Sequence, residues 1–193
     1  MATPTLTNIM VGAPDQSTTG AIFTAAVGST APTDAVTALA GAFTSSGYVS
    51  EDGLTLNGNK SVTKVRDWSK SVVKILSESF EPEISFELLE LSEDGLKQAL
   101  GSSAVVATAA TASHGNQLSI SFTGATPEPK AWAFNMKDGI AKVRLYIPQG
   151  VVTNVPDMTF SAGDVIKVPI TIAALPDSSG VCYQLFTDDG LHS

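Results

Sequence analysis

The chain has 193 residues and a formal net charge of −8, which supports one domain with a sizeable core and is short for two ordinary ones. Only 16% of residues are charged while 43% are hydrophobic, against a usual charged share of about 25%, so the composition points to a β-rich body with long polar loops and surface buried by partners. The acidic balance argues against a protein that grips nucleic acid through its phosphates, and the single cysteine, Cys182, excludes an intramolecular disulfide framework or a cysteine-based zinc site.

Residues 1–19 read as a flexible polar arm and residues 20–193 as one domain. The first basic residue is Lys60 and no apolar run of secretory length opens the chain, so neither an export signal nor membrane binding is expected. Residues 21–27 suit a strand. Asp34 is a suitable cap for a short helix over 35–42, where Val36, Leu39 and Phe43 recur at helical spacing, although Gly41 weakens it. Glu51-Asp52-Gly53 signals a turn. Residues 54–68 suit a long hairpin or an extended loop. Residues 71–80 and 83–90 are the clearest strands, with Ile84, Phe86 and Leu88 alternating against Glu83, Ser85 and Glu87. Pro82 between them predicts either a hairpin or a strand bent at a bulge. Ser92 caps the best helix, over about 92–101, with Glu93 and Asp94 in its first turn and Gly101 at its end. Alternation then predicts strands through Leu118, Ile120 and Phe122, through Trp132, Phe134 and Met136, and through Val143, Leu145 and Ile147, with Asp138-Gly139 as a hairpin signal. Residues 165–173 and 181–186 complete the set. The predicted fold is mainly β: a sandwich or barrel of two packed antiparallel sheets with one flanking helix.

No catalytic chemistry stands out. Residues 53–61 nearly match a phosphate-binding loop, but the lysine comes one residue late and no apolar helix follows, so the segment reads as a polar hairpin tip. The neighbouring acids Glu51/Asp52, Glu93/Asp94 and Asp188/Asp189 do not signal two carboxylates facing across a cleft. His114 and His192 are 78 positions apart with no serine elbow and no further metal ligands at a telling spacing. Cys182 reads as a packed strand residue. An enzyme, a cofactor or a resident metal is not expected.

Charge is blocked along the chain. Lys60, Lys64, Arg66, Lys70 and Lys74 form a basic run broken by Asp67, followed by Glu78, Glu81, Glu83, Glu87, Glu90, Glu93 and Asp94. Such runs are ordinarily solvated faces, but they are equally two complementary patches able to set register in a head-to-tail assembly.

The heptad Gly47-Tyr48-Val49-Ser50-Glu51-Asp52-Gly53, the Val65-Arg66-Asp67-Trp68 turn, and Val72-Val73-Lys74 resemble the major tail proteins of long-tailed bacteriophages. Ile84-Ser85-Phe86-Glu87-Leu88-Leu89-Glu90, the helix ending in Gly101, Arg144 to Pro148 and Val168-Pro169-Ile170 extend the resemblance from about residue 21 onward. The resemblance implies a structural virion protein of a long, non-contractile tail, made in the host cytoplasm. Its partners would be copies of itself, six to a ring with rings stacked into a tube, together with a tape-measure protein and a tail terminator. DNA would pass without sticking, because an anionic lumen repels phosphate. It further implies stacking contacts from residues 1–19 and 54–70, placing Lys60, Lys64, Arg66, Trp68 and Lys70 at an interface, with Glu83 and Glu87 as lumen-facing candidates. The rival readings are a lectin-like or adhesin-like β-sandwich binding module and another tail component such as a terminator or secretion-system tube.

Overall fold

The computed structural model describes residues 9–15, 20–154 and 156–191. Its elements are β1 (Ile22–Ala26), β2 (Thr44–Ser45), β3 (Val49–Arg66), β4 (Val72–Leu88), α1 (Glu93–Leu100), β5 (Val105–Thr108), β6 (Gln117–Ile120), β7 (Lys130–Asp138), β8 (Ala141–Val152), β9 (Val168–Ala174) and β10 (Gln184–Asp188). Every strand pairing is antiparallel. One sheet runs β2-β1-β7-β8-β9-β4-β3 with β10 added to β8, and β5 and β6 form a separate ribbon. The mainly β, two-sheet fold with one short helix is as the alternation predicts.

The hinge of the large sheet is β8. Its first half pairs with β10, from Lys142↔Asp188 to Tyr146↔Gln184, and its last three residues pair with β9. The strand therefore belongs to two leaves, and the sheet folds over so that β4 packs on β7. Phe86 on β4 meets Trp132 and Phe134 on β7 with ring centroids 6.0 and 5.5 Å apart, both edge to face. Gly150 sits at the fold because a Cβ there would lie 2.6 Å from Ile172 Cγ2 and 2.8 Å from Trp132 Cδ1. Ile84, Phe86 and Leu88, with Val168, Ile170 and Ile172, fill the space between the leaves. Leaving those side chains in water instead would cost about 1.5–3 kcal/mol each.

The other face of β7 and β8 is covered as well. Ala131, Ala133 and Tyr146 are buried beneath Leu39 and Phe43, and the small alanines let the covering chain come close. The expected helix over 35–42 does not form: this segment is a series of bends. Asp34 still caps, accepting the amides of Val36 and Thr37 at 2.8 and 2.5 Å. Arg144, buried on β8, then takes the carbonyls of Asp34 and Thr37, each at 2.8 Å. Those carbonyls would have been the acceptors of a continuing helix, and Val36, Thr37 and Gly41 favour helix too little to compete.

The helix predicted after Ser92 is α1, with the Ser92 hydroxyl accepting the Gly95 amide and the Gly101 amide donating to the Lys97 carbonyl. It docks on β2 through buried Gln98, which accepts from the Ser46 hydroxyl and donates to Thr44 Oγ1 and the Ser45 carbonyl.

Other expectations are corrected in detail. Glu51-Asp52-Gly53 is an irregularity inside β3, where register shifts between Val49 and Leu54 and Gly53 has φ 68°. Residues 53–61 lie within the strand and are not a hairpin tip. Of the two alternatives at Pro82 the single strand forms, with its bulge at Glu78 rather than at the proline: β4 runs through Pro82, one residue beyond its last β9 partner, Glu83, where the missing N–H costs no bond to β9. Phe122 falls outside β6. Of the expected arm, Ile9 to Asp15 run beside β7, with a Pro14–Met136 bridge and the Asp15 amide donating to the Asn135 carbonyl at 2.9 Å. Residues 1–8 and 16–19, and His192, lie outside the described residues.

Candidate assembly interface

Beyond Glu83 no strand among the described residues lies on the outer side of β4, yet β3 and β4 stay paired to Arg66↔Val72. The result is a two-stranded ribbon standing clear of the body, about 25–30 Å long at about 3.4 Å per residue. Every residue from Thr55 to Glu78 is exposed. Asp67 makes its tip. The Asp67 carboxylate accepts the Ser69 hydroxyl at 2.7 Å and the Ser71 amide at 2.9 Å, and these bonds, the hydroxyl first, hold it below its ordinary pKa. Lys70 takes a left-handed φ of 66° to close the turn, and Arg66 Nη1 ties down the Lys70 carbonyl at 2.8 Å.

Register sets what each face of the ribbon carries. Pairing of Lys60 with Phe80, Val62 with Ser77 and Lys64 with Ile75 places two lysines of β3 beside Phe80 and Ile75 of β4 on one face. This face continues the side that faces the core further along. Glu78 is the extra residue of a bulge between the Ser61↔Ser79 and Val62↔Ser77 pairs. Its carboxylate accepts the hydroxyls of Thr63 and Ser61, which lower its pKa. Val73 and Ile75 remain 61% and 60% exposed, and Trp68 at the tip is entirely so at 102%.

Lys60, Lys64, Arg66, Trp68 and Lys70 are thus gathered on one projecting arm. Among the described residues none of its cations has a carboxylate within 4 Å: the ion pairs are Lys97–Glu93, Lys137–Asp15 and Lys167–Glu87. Glu83 and Glu87 are elsewhere, half-buried on the face of β4 that points away from the core, in register with Ala173 and Pro169 of β9. Glu87 Oε2 lies 3.7 Å from Lys167 Nζ. Lys60 and Lys64 therefore lie on the opposite face of the hairpin from Glu81, Glu83 and Glu87, while Lys74, opposite Val65, shares the acidic face.

The exposed apolar row of Val73 and Ile75 escaped sequence reasoning, since alternation alone marks a strand without telling whether either face is covered. Trp132 and Phe134 are core residues, as aromatics at alternating positions generally are. His114 lies on an exposed loop and Cys182 is buried in the core. Among the described residues there is no group of three or more His, Cys, Asp or Glu placed to hold a metal, and no helix is long and apolar enough to cross a membrane.

A two-stranded ribbon with both faces wet is marginal by itself, and large apolar side chains clustered on it mark a surface made to be covered. A search of curated proteins returns no match. The family model described as phage tail tube protein matches residues 15–191, from the strand-paired end of the amino-terminal segment to beyond β10, so the chain belongs to the phage tail tube protein family and is a structural component of the virion tail.

Proposed function

We propose that six copies of the chain close into a ring by edge-to-edge pairing of their sheets, and that rings stack head to tail into the hollow tube of a long, non-contractile tail. The tube is built in the host cytoplasm around a tape-measure protein, is closed by a terminator, and later conducts DNA into the host cell. The observation that carries this reading is the arm: 24 consecutive exposed residues, from Thr55 to Glu78, on a strand pair that no further strand among the described residues flanks.

Edge pairing is supported by free strands. One edge of β3 and one edge of β10 lack a partner among the described residues, and an unpaired edge is a template for another chain. Stacking is assigned to the arm and to residues 1–19. A stack of identical rings needs a contact between two different patches of the subunit, and such a heterologous contact propagates. Glu83 and Glu87 are assigned to the lumen wall, where carboxylates keep DNA from adhering.

Negative-stain electron microscopy of the purified protein over a concentration series, with sedimentation of the same samples, tests the reading. Rings or tubes of uniform width are expected. Lys64→Glu with Arg66→Glu should leave the thermal midpoint unchanged while reducing tubes to isolated rings or subunits. Normal tube yield from this double variant would remove the arm from the stacking contact. A small closed oligomer that never extends would favour the binding-module reading instead.

A further inference from the structure

The tube reading leaves open where the arm of one copy lands. The chain direction of β4 narrows the search. The arm is at the start of this strand, and α1 follows its end after only four residues, Leu89 to Ser92. Arm and helix therefore stand at opposite ends of the subunit, about 55 Å apart along 17 strand residues. Beside α1 a groove of about 630 Å³ opens between the helix, the outgoing end of β1 and the chain entering β7. Val27, Ala42 and Pro129 line it and are exposed, as is Ala26. The β1 backbone is uncovered there because β2 pairs only with Phe23 and Thr24.

Charge at the two ends is opposed. Between Thr55 and Glu78 the arm carries five cations against Asp67 and Glu78, a net of +3, so the remainder of the chain carries −11 of the total −8. The α1 end holds Glu51, Asp52, Glu87, Glu90, Glu93, Asp94 and Glu128 against Lys97, Lys130 and Lys167. Lys167 lies 3.7 Å from Glu87. Lys97 pairs with Glu93 at 2.5 Å, and Lys130 turns inward to donate to the Lys97 carbonyl at 3.3 Å. Lys130 also feels Asp94 and Glu128: burial lowers its pKa and both carboxylates act to raise it. Charge in the groove lining itself is therefore balanced, and the acidic excess of this end comes from Glu51, Asp52 and Glu90.

We propose that this groove is the receptor for the arm of a second copy, with Trp68 seated against Val27, Ala42 and Pro129 and the arm cations directed to the acidic excess of the same end, Glu51, Asp52 and Glu90. The assignment rests on the tube reading and adds the receiving surface to it. An exposed indole beside Lys64, Arg66 and Lys70 has the makeup of an interface anchor, and the groove supplies an apolar floor for it at an end of the subunit with net negative charge. Because the two patches lie at opposite ends, each copy that receives an arm presents its own to the next.

Disulfide trapping in the full-length chain tests the proposal without requiring stable tubes. Trp68→Cys combined with Ala42→Cys is expected to give a ladder of dimers, trimers and longer species on mild oxidation, seen on non-reducing gels. Trp68→Cys alone should stop at dimers, since native Cys182 is buried. The control pairs Trp68→Cys with Gly163→Cys, on an exposed loop before β9. A ladder from this control but not from the Ala42 pair, with tubes still visible by microscopy, would overturn the groove and leave the tube reading standing. No ladder from either pair, together with a closed oligomer that does not grow, would overturn both.

Discussion

Arg144 replaces a helix with a strut. One guanidinium accounts for the carbonyls of Asp34 and Thr37 and, through Nε, for Asn135 Oδ1 at 2.8 Å. Burial pushes its pKa down from the ordinary arginine value, and the Asp34 carboxylate opposes that push. Replacing it by an apolar side chain of similar length leaves three acceptors without their donor under the Leu39 and Phe43 cover. Arg144→Met should therefore destabilise the fold by about 2–4 kcal/mol in denaturant titrations and open residues 33–43 to proteolysis. Equal protease resistance in the variant would show that the apolar cover alone holds the segment. Asp34 offers a second reading of the same structure. Hydrogen bonds, that of the Thr37 hydroxyl first and then the Thr37 and Val36 amides, hold its carboxyl at about 2. A carboxyl depressed by folding contributes stability above its unfolded value near 3.8 and loses it as pH falls through about 2. The Val36 and Thr37 amide resonances should accordingly shift with a midpoint of about 2. Asp34→Asn should abolish that titration.

At the scale of elements, the β3–β4 hairpin combines two parts with different needs. Through Val49 and Leu54 and from Ile84 to Leu88 it contributes to the core; from Thr55 to Glu78 its residues are exposed. Removing residues 61–79 and joining Lys60 to Phe80 through Asn-Gly, a favoured two-residue hairpin turn, should change stability by no more than about 1 kcal/mol, or about 2–4 °C in melting temperature. The Phe80–Tyr183 ring contact, 6.2 Å between centroids, is preserved by this design. Tube formation should be lost. A large fall in melting temperature, read by circular dichroism, would mean that the arm supports the body it springs from. Helix α1 shows the opposite economy: eight residues with a Ser92 cap, an acidic first turn and a closing Gly101 stand on local signals, and Gln98 then fixes their position against β2.

For the whole molecule, polarity is the organising property. In the proposed assembly, a basic arm at one end and a surface of net negative charge at the other make the subunit complementary to its own copy in one direction only, which is the condition for a filament rather than a closed pair. Complementary fields of this kind set register and encounter rate more than affinity, and in that proposal the exposed Trp68, Val73 and Ile75 supply the apolar area of the contact.

Much of this was legible along the chain. The alternation of Ile84, Phe86 and Leu88, the period through Trp132 and Phe134, the Asp138-Gly139 turn and the Ser92 cap are local patterns, and each depends on interactions within a few residues or on one buried face. So is the basic run on the arm, since its residues are adjacent. The same reasoning misplaced the helix at 35–42, because the donor that captured its carbonyls is Arg144, 110 positions from Asp34. It could not tell that Pro82 lies inside one strand, which depends on where β9 stops. The groove beside α1 draws on β1, α1 and the entry to β7, segments brought together by the folding of the sheet at β8. By itself the sequence determined the β class, the capped helix, the charge blocks and the family; the tertiary structure decided which faces are covered and which residues share an end, because burial and polarity depend on how distant strands meet.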